Sequence, residues 1–311
     1  MIDSHIHLSH IKFNQQFPYL ASDHGKVCVY TDGTRAKLIE KCREEGIRAC
    51  IEPAIELDSN ERILDLACHY PDFVFPAVGV HPTRTFRYQI VYKKGRRTEK
   101  VLRKKGRRPE KVLRWRQRHL IEKYADHPQV VAIGETGLDY HLERKQQHRI
   151  RQMMWFIWQI KLAHKKRLPL ILHVREADKD ALRILRLFRK NLHGGVYHCF
   201  TGDAELAKQY TELGFMIGVG GKLLTHSTRQ ATLEQTVIQT PLEALLLETD
   251  GPNVKPDCLD LKENARNTSL ILPAVANRIA ELKHVSVEEV MRVTSMNAEK
   301  TFLSNDNSFS R

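Results

Sequence analysis

Leu168-Pro169-Leu170-Ile171-Leu172-His173-Val174 is a short aliphatic run interrupted near its end by a histidine. Its near-continuous apolar character suits a strand buried on both faces, as in a parallel sheet. The pattern recurs along the chain. Strand-like runs are read at roughly 2–8, 49–55, 74–80, 130–138, 168–174, 194–200, 215–221 and 244–250, with helical periodicity between them. Helices are expected over 34–46, 58–70, 144–167, 177–191 and 203–213. Asp58 and Asp203 are read as N-caps, Gly46 and Gly214 as C-terminal stops. Eight alternations in 311 residues predict an α/β protein, a TIM (β/α)8 barrel in preference to an open sheet. Two further helices, about 264–282 and 286–303, are expected on its outside.

Several of these runs end on a group able to bind a metal. His173 closes its own run, His198 ends Gly195-Val196-Tyr197-His198, and Asp250 ends Leu245-Leu246-Leu247-Glu248-Thr249-Asp250. Glu135 sits between glycines in Gly134-Glu135-Thr136-Gly137, and His5 and His7 alternate in Ile2-Asp3-Ser4-His5-Ile6-His7-Leu8. A barrel collects its strand ends on one rim. An isolated His-x-His pair carries little weight, and His10, His24, His69 and His226 are read as satisfied or surface residues. Six candidates at strand ends are a different matter.

Six ligands exceed what one catalytic zinc takes from protein, but suit two cations about 3.5–4 Å apart sharing a carboxylate. His5, His7 and Asp250 are assigned to the first ion, His173 and His198 to the second, with Glu135 shared. Mixed imidazole and carboxylate donors accept Mg, Mn or Zn without choosing among them. Such a pair would acidify a water toward neutral pH, and Asp250 is the candidate to orient it and take its proton. Asp250 and Glu135 are thus the catalytic candidates.

The bulk numbers narrow the partners. Residues 91–118 hold fourteen Lys or Arg against two acids, Glu99 and Glu110, so this segment carries nearly all of the net charge of +13. Within it, Lys93–Arg103 is repeated as Lys104–Arg114 with only Thr98 replaced, by Pro109. The chain is read as one metal-dependent hydrolase barrel over 1–311 with a basic insertion at 85–118. That insertion is either a phosphate-tracking arm, with Tyr92 and Trp115 available for stacking, or a solvated charge run. Six scattered cysteines lack any C-x-x-C pair, which suits reduced thiols in a cytoplasmic protein. No apolar run reaches membrane-spanning length, the charged N-terminus does not suit a secretory signal, and no obligate protein partner is evident.

The chain resembles the TatD-related metal-dependent deoxyribonucleases. The matching stretches are Ile2-Asp3-Ser4-His5-Ile6-His7-Leu8, Gly79-Val80-His81-Pro82, Ile133-Gly134-Glu135-Thr136-Gly137-Leu138-Asp139-Tyr140, Leu172-His173-Val174-Arg175, Tyr197-His198-Cys199-Phe200-Thr201-Gly202 and Glu248-Thr249-Asp250-Gly251-Pro252. The resemblance implies a barrel with two divalent cations on the ligands above. It also implies hydrolysis of DNA phosphodiesters, as a 3′-5′ exodeoxyribonuclease, with single-stranded DNA a candidate substrate. The first loop, residues 9–33, and the basic insertion are longer than is usual in the family. Arg266-Asn267-Thr268-Ser269 lacks the proline that commonly follows the family's Arg-Asn.

Around the ligands, His81 is either a phosphate-binding group or a loop histidine stiffened by Pro82. Arg175 shares the face of His173 and either neutralises phosphate or pairs with Glu176 or Asp178. Cys199 is expected to point away from His198 into the core, and Glu248 to stand behind the ligands. The alternative function is an amidohydrolase acting on amide, ester or lactone bonds of small molecules. That superfamily commonly bridges its metals with a carboxylated lysine, and residues 130–138 contain none.

Overall fold

A computed structural model describes residues 1–85, 91–93, 96–98, 109–141, 145–225, 228–256 and 264–304. Most of the basic insertion read at 85–118, with the stacking roles given to Tyr92 and Trp115, lies outside the described residues and side chains, as does His226. Of its backbone, Val91–Lys93 pairs antiparallel with Arg96–Thr98, and a helix begins at Pro109.

Eight parallel strands form the sheet: β1 Ile2–Asp3, β2 Ala49–Pro53, β3 Val74–Val78, β4 Ala132–Asp139, β5 Leu170–Arg175, β6 Gly195–Tyr197, β7 Phe215–Val219 and β8 Leu245–Leu247. Each pairs with its successor. The ring closes where Ser4 N–H donates to Leu247 O (2.9 Å) and Ile6 bridges Gly251. Between strands run α1 Arg35–Glu44, α2 Leu57–His69, α3 Pro109–Tyr124, α4 Gln146–Lys166, α5 Asp178–Leu187, α6 Ala204–Thr211 and α7 Thr228–Gln239. Helices α8 Leu272–Lys283 and α9 Val287–Ala298 follow β8. This is the (β/α)8 barrel read from the strand–helix alternation.

Strand alternation divides the apolar residues between two cores. Ile2, Ile51, Ala77, Ala132, Ile171, Val196 and Leu246 pack together with Phe302 and Leu303 of the C-terminal segment. Their neighbours Cys50, Val78, Leu170, Leu172, Leu245 and Leu247 join the larger core formed with the helices. Residues two beyond an inward position continue inward at the rim. Ile171 thereby leads to His173, Val196 to His198, and Leu246 to Glu248 and Asp250.

Two local expectations are corrected and one holds. The N-cap of α2 is Glu56, not Asp58: Ser59 Oγ accepts from Glu56 N–H (2.9 Å), and Asp58 sits inside the first turn. Asp203 does cap α6, its Oδ1 accepting from Leu206 N–H at 2.8 Å. Residues 9–33 are not plain loop, since Phe17–Asp23 and Lys26–Gly33 form an antiparallel hairpin. Its two-residue turn, His24 and Gly25, has φ of 46° and 80°, the doubly left-handed backbone that matches strand twist.

Asp3 ties strand closure to the site. Its Oδ2 accepts from Thr249 Oγ1 and Ser269 Oγ, both at 2.7 Å, and its Oδ1 from His5 N–H at 3.1 Å. Burial pushes its carboxyl up to about 7 despite these bonds. The folded state therefore binds a proton that the unfolded chain has released above its ordinary value of 3.8. Stability is fully present below that value and falls as pH rises toward 7, by on the order of 4 kcal/mol. Asp3→Asn should flatten denaturant-measured stability between pH 4 and 7; an unchanged slope would clear Asp3 of this role.

Candidate metal centre

Glu135 owes its position to a β-bulge. Ile133 pairs with Leu170 but Thr136 pairs with Leu172, so β4 carries one residue more than β5 across this stretch. By simple alternation Ala132 would lead inward to Gly134; the extra residue turns Glu135 inward instead. Its carboxylate is 3% exposed and looks two ways. Oε2 lies 3.8 Å from His5 Nε2 and 3.7 Å from His7 Nε2. Oε1 lies 2.8 Å from His198 Nε2 and 3.1 Å from His173 Nδ1.

Asp250 completes the first set, with Oδ1 3.8 Å from His5 Nε2 and 3.4 Å from His7 Nε2. The structure thus brings together all six groups singled out in the sequence. Each imidazole has a second anchor or an unfilled one. His7 Nδ1–H faces Pro53 O at 3.2 Å, and His173 Nε2 faces Asp139 Oδ2 at 3.0 Å. His198 Nδ1 looks toward Glu248 Oε2 at 3.7 Å, and both atoms are buried without a hydrogen bond. Outer carboxylates and carbonyls that fix histidine tautomers in this way commonly support metal ligands.

The electrostatics of the cluster would suit a cation. Burial opposes charge on Glu135, yet the imidazoles of His81, His198 and His173 hold its carboxyl well below the usual range. Burial likewise lowers His198, but Glu135 and Glu248 drive it well above the ordinary histidine value. His7 and His173 are raised against burial by Asp250 and Glu135, and by Asp139 and Glu135. His5, buried beside His198, is held well below it. Protons collect where carboxylates converge, and a divalent ion would displace them. Donor types, buried charge and second anchors all fit such ions: His5, His7, Asp250 and Glu135 could hold one, and Glu135, His173 and His198 another.

His81 reaches the same centre. Its Nε2 is 3.6 Å from Glu135 Oε1, and its Nδ1 accepts from Thr83 N–H at 3.2 Å. Burial and the neighbouring His173 push it down to about 3, so it is neutral at physiological pH. Arg175 is exposed at the end of β5. Neither pairing considered for it forms: Glu176 binds His141 Nδ1 at 2.5 Å, and Asp178 Oδ1 accepts from Tyr197 and Tyr210 hydroxyls.

Cys199 departs from expectation. Strand β6 ends at Tyr197, and Cys199 has a left-handed φ of 51°, so alternation no longer governs it. Its Sγ lies within 4.8 Å of ligand atoms of His198 and Asp250 instead of in the core. Burial pushes the thiol up to about 11, which keeps it protonated. Glu248 does stand behind the ligands, where its Oε1 accepts from Cys199 N–H at 2.8 Å.

Asn267 was missed as a support. It donates to Thr249 O (2.7 Å) and Val254 O (2.6 Å), bracing the turn that carries Asp250, itself at φ 51°. The Arg266-Asn267 pair was noted only for the proline that does not follow it.

Residues 2–303 match the family described as TatD related DNase. The chain belongs to that family. It is 30% identical over 266 residues to the uncharacterized metal-dependent hydrolase YabD of Bacillus subtilis, covering 86% of this chain and 91% of that one. It is 29% identical over 272 residues to the 3′-5′ ssDNA/RNA exonuclease TatD of a Rahnella species, covering 87% and 93%. Among solved structures, the TatD homologue YJJV of Escherichia coli superposes with a TM-score of 0.74 at 23% identity, covering 98% of each chain. A TatD family hydrolase from Entamoeba histolytica gives 0.72 at 23% identity, again covering 98% of each. The TatD-family chain is accordingly a metal-dependent hydrolase with the barrel fold of these structures. No helix among the described residues is long and apolar enough to cross a membrane.

Proposed function

We propose that this TatD-family protein is a two-cation phosphodiesterase that hydrolyses DNA, removing nucleotides from a 3′ end. The observation that carries the reading is the Glu135 carboxylate, whose oxygens face separate donor sets. Cations bound there would supply Lewis-acid stabilisation of phosphoryl charge and lower the pKa of water. Asp250, at the open edge of the cluster and 17% exposed, is placed to orient the attacking water and accept its proton. Neutral His81 can donate from Nε2 to a phosphoryl oxygen. Arg175, with no side-chain partner among the described residues, can offset phosphate charge beyond His173. The name of the Rahnella relative supports both the 3′-5′ direction and a single-stranded substrate.

The test is protein stripped with chelator, reloaded with Mg²⁺, Mn²⁺ or Zn²⁺, and given a 5′-labelled single-stranded oligonucleotide. A ladder shortening from the 3′ end, absent without metal, is expected. Intact DNA with turnover of a small ester, amide or lactone panel would replace this reading with the amidohydrolase one.

A further inference from the structure

Beside the ligand cluster, and sharing the His7 ring with it, lies a cleft of about 320 Å³. Pro53, the last residue of β2, Ile55 just beyond it and Ile11 of the first loop give it apolar walls; Ile11 is 74% exposed at the rim. Arg62 of α2 and Arg84 of the short 3-10 turn after β3 line it as well. The Arg84 Nε is shut off from solvent and has no hydrogen-bond acceptor among the described residues. A buried guanidinium N–H is normally satisfied, and an anion entering the cleft would supply its acceptor. The one acid in the lining, Glu56, is engaged at the start of α2. Two arginines, an apolar wall and a cation site on one side are the elements of a nucleotide pocket.

We propose that this cleft is a subsite for the nucleotide that flanks the scissile phosphodiester. Its sugar and base lie against Ile11, Pro53 and Ile55, and its second phosphate is held by Arg62 and Arg84. The proposal rests on the phosphodiesterase reading above and gives it a substrate rule: a second phosphate one nucleotide from the cut strengthens binding. Simple phosphodiesters, which leave the cleft empty, forgo that contribution.

Thymidine 3′,5′-bisphosphate is the probe, titrated calorimetrically into the full-length Mn²⁺-loaded protein, with the thymidine 3′- and 5′-monophosphates as references. The bisphosphate is expected to bind at least about tenfold tighter than either monophosphate, with a steeper dependence on salt. Arg62→Ala with Arg84→Ala should erase that advantage, and Arg84→Lys should retain part of it. Arg62 is exposed, so Arg62→Ala alone supplies a variant that leaves the core untouched. Metal content and melting temperature are measured on each variant to confirm the fold. A bisphosphate that binds no better than the monophosphates, or that keeps its advantage in the double variant, overturns the subsite. Wild-type protein with the bisphosphate advantage that leaves oligonucleotides uncut would sink the nuclease reading alone; cleavage without the advantage would sink the subsite alone.

Discussion

Glu135→Gln is expected to abolish metal-dependent hydrolysis, lowering kcat by at least about a thousandfold, or about 4 kcal/mol of barrier. Glutamine keeps the volume but carries no charge, and the amide nitrogen turns one ligating oxygen into a donor. Both donor sets lose their common member, since Oε2 faces His5 and His7 while Oε1 faces His173 and His198. Metal content, read by plasma mass spectrometry after dialysis, should fall to one ion or fewer per chain. Two ions retained with ordinary turnover would show that Glu135 is a bystander.

Gly137→Ala should be the most destabilising single change near the site. Gly137 has φ of 135°, and a β-carbon there would stand 2.2 Å from the His173 carbonyl oxygen, a backbone atom that cannot rotate away. Strands β4 and β5 would have to part where Gly137 and His173 are paired. A cost above about 4 kcal/mol follows from overlap plus the backbone conformation. In a chain of this size that corresponds to a fall in Tm of roughly 6 °C, with loss of metal through displaced His173. Gly46 is the control: its φ is 73°, but nothing lies within 4 Å of an added β-carbon. Gly46→Ala should cost only about 1 kcal/mol. Equal melting shifts in the two variants would refute the packing argument.

The barrel was legible because buried parallel strands announce themselves as short aliphatic runs, although the first run, read over 2–8, overshoots a strand that ends at Asp3. The candidate ligands were legible for the same reason: His173, His198 and Asp250 follow inward residues at even spacing. Glu135 was found through its glycines and motif, although the bulge that aims it leaves no periodic trace. Alternation misled at Cys199, because the strand stops two residues earlier and the backbone turns left-handed. The hairpin over 17–33 escaped notice because its residues mix aromatic, polar and small types without a clean period of two. Arg62 and Arg84 meet at one cleft from a helix and a turn, and no spacing in the sequence links them.

Anomalous diffraction from crystals soaked in Mn²⁺ or Zn²⁺ bears most directly on the proposed two-cation centre. Two peaks are expected about 3.5–4 Å apart, one among His5, His7 and Asp250, the other beside His173 and His198, with Glu135 between them. A single peak, or ions bound away from Glu135, would contradict it.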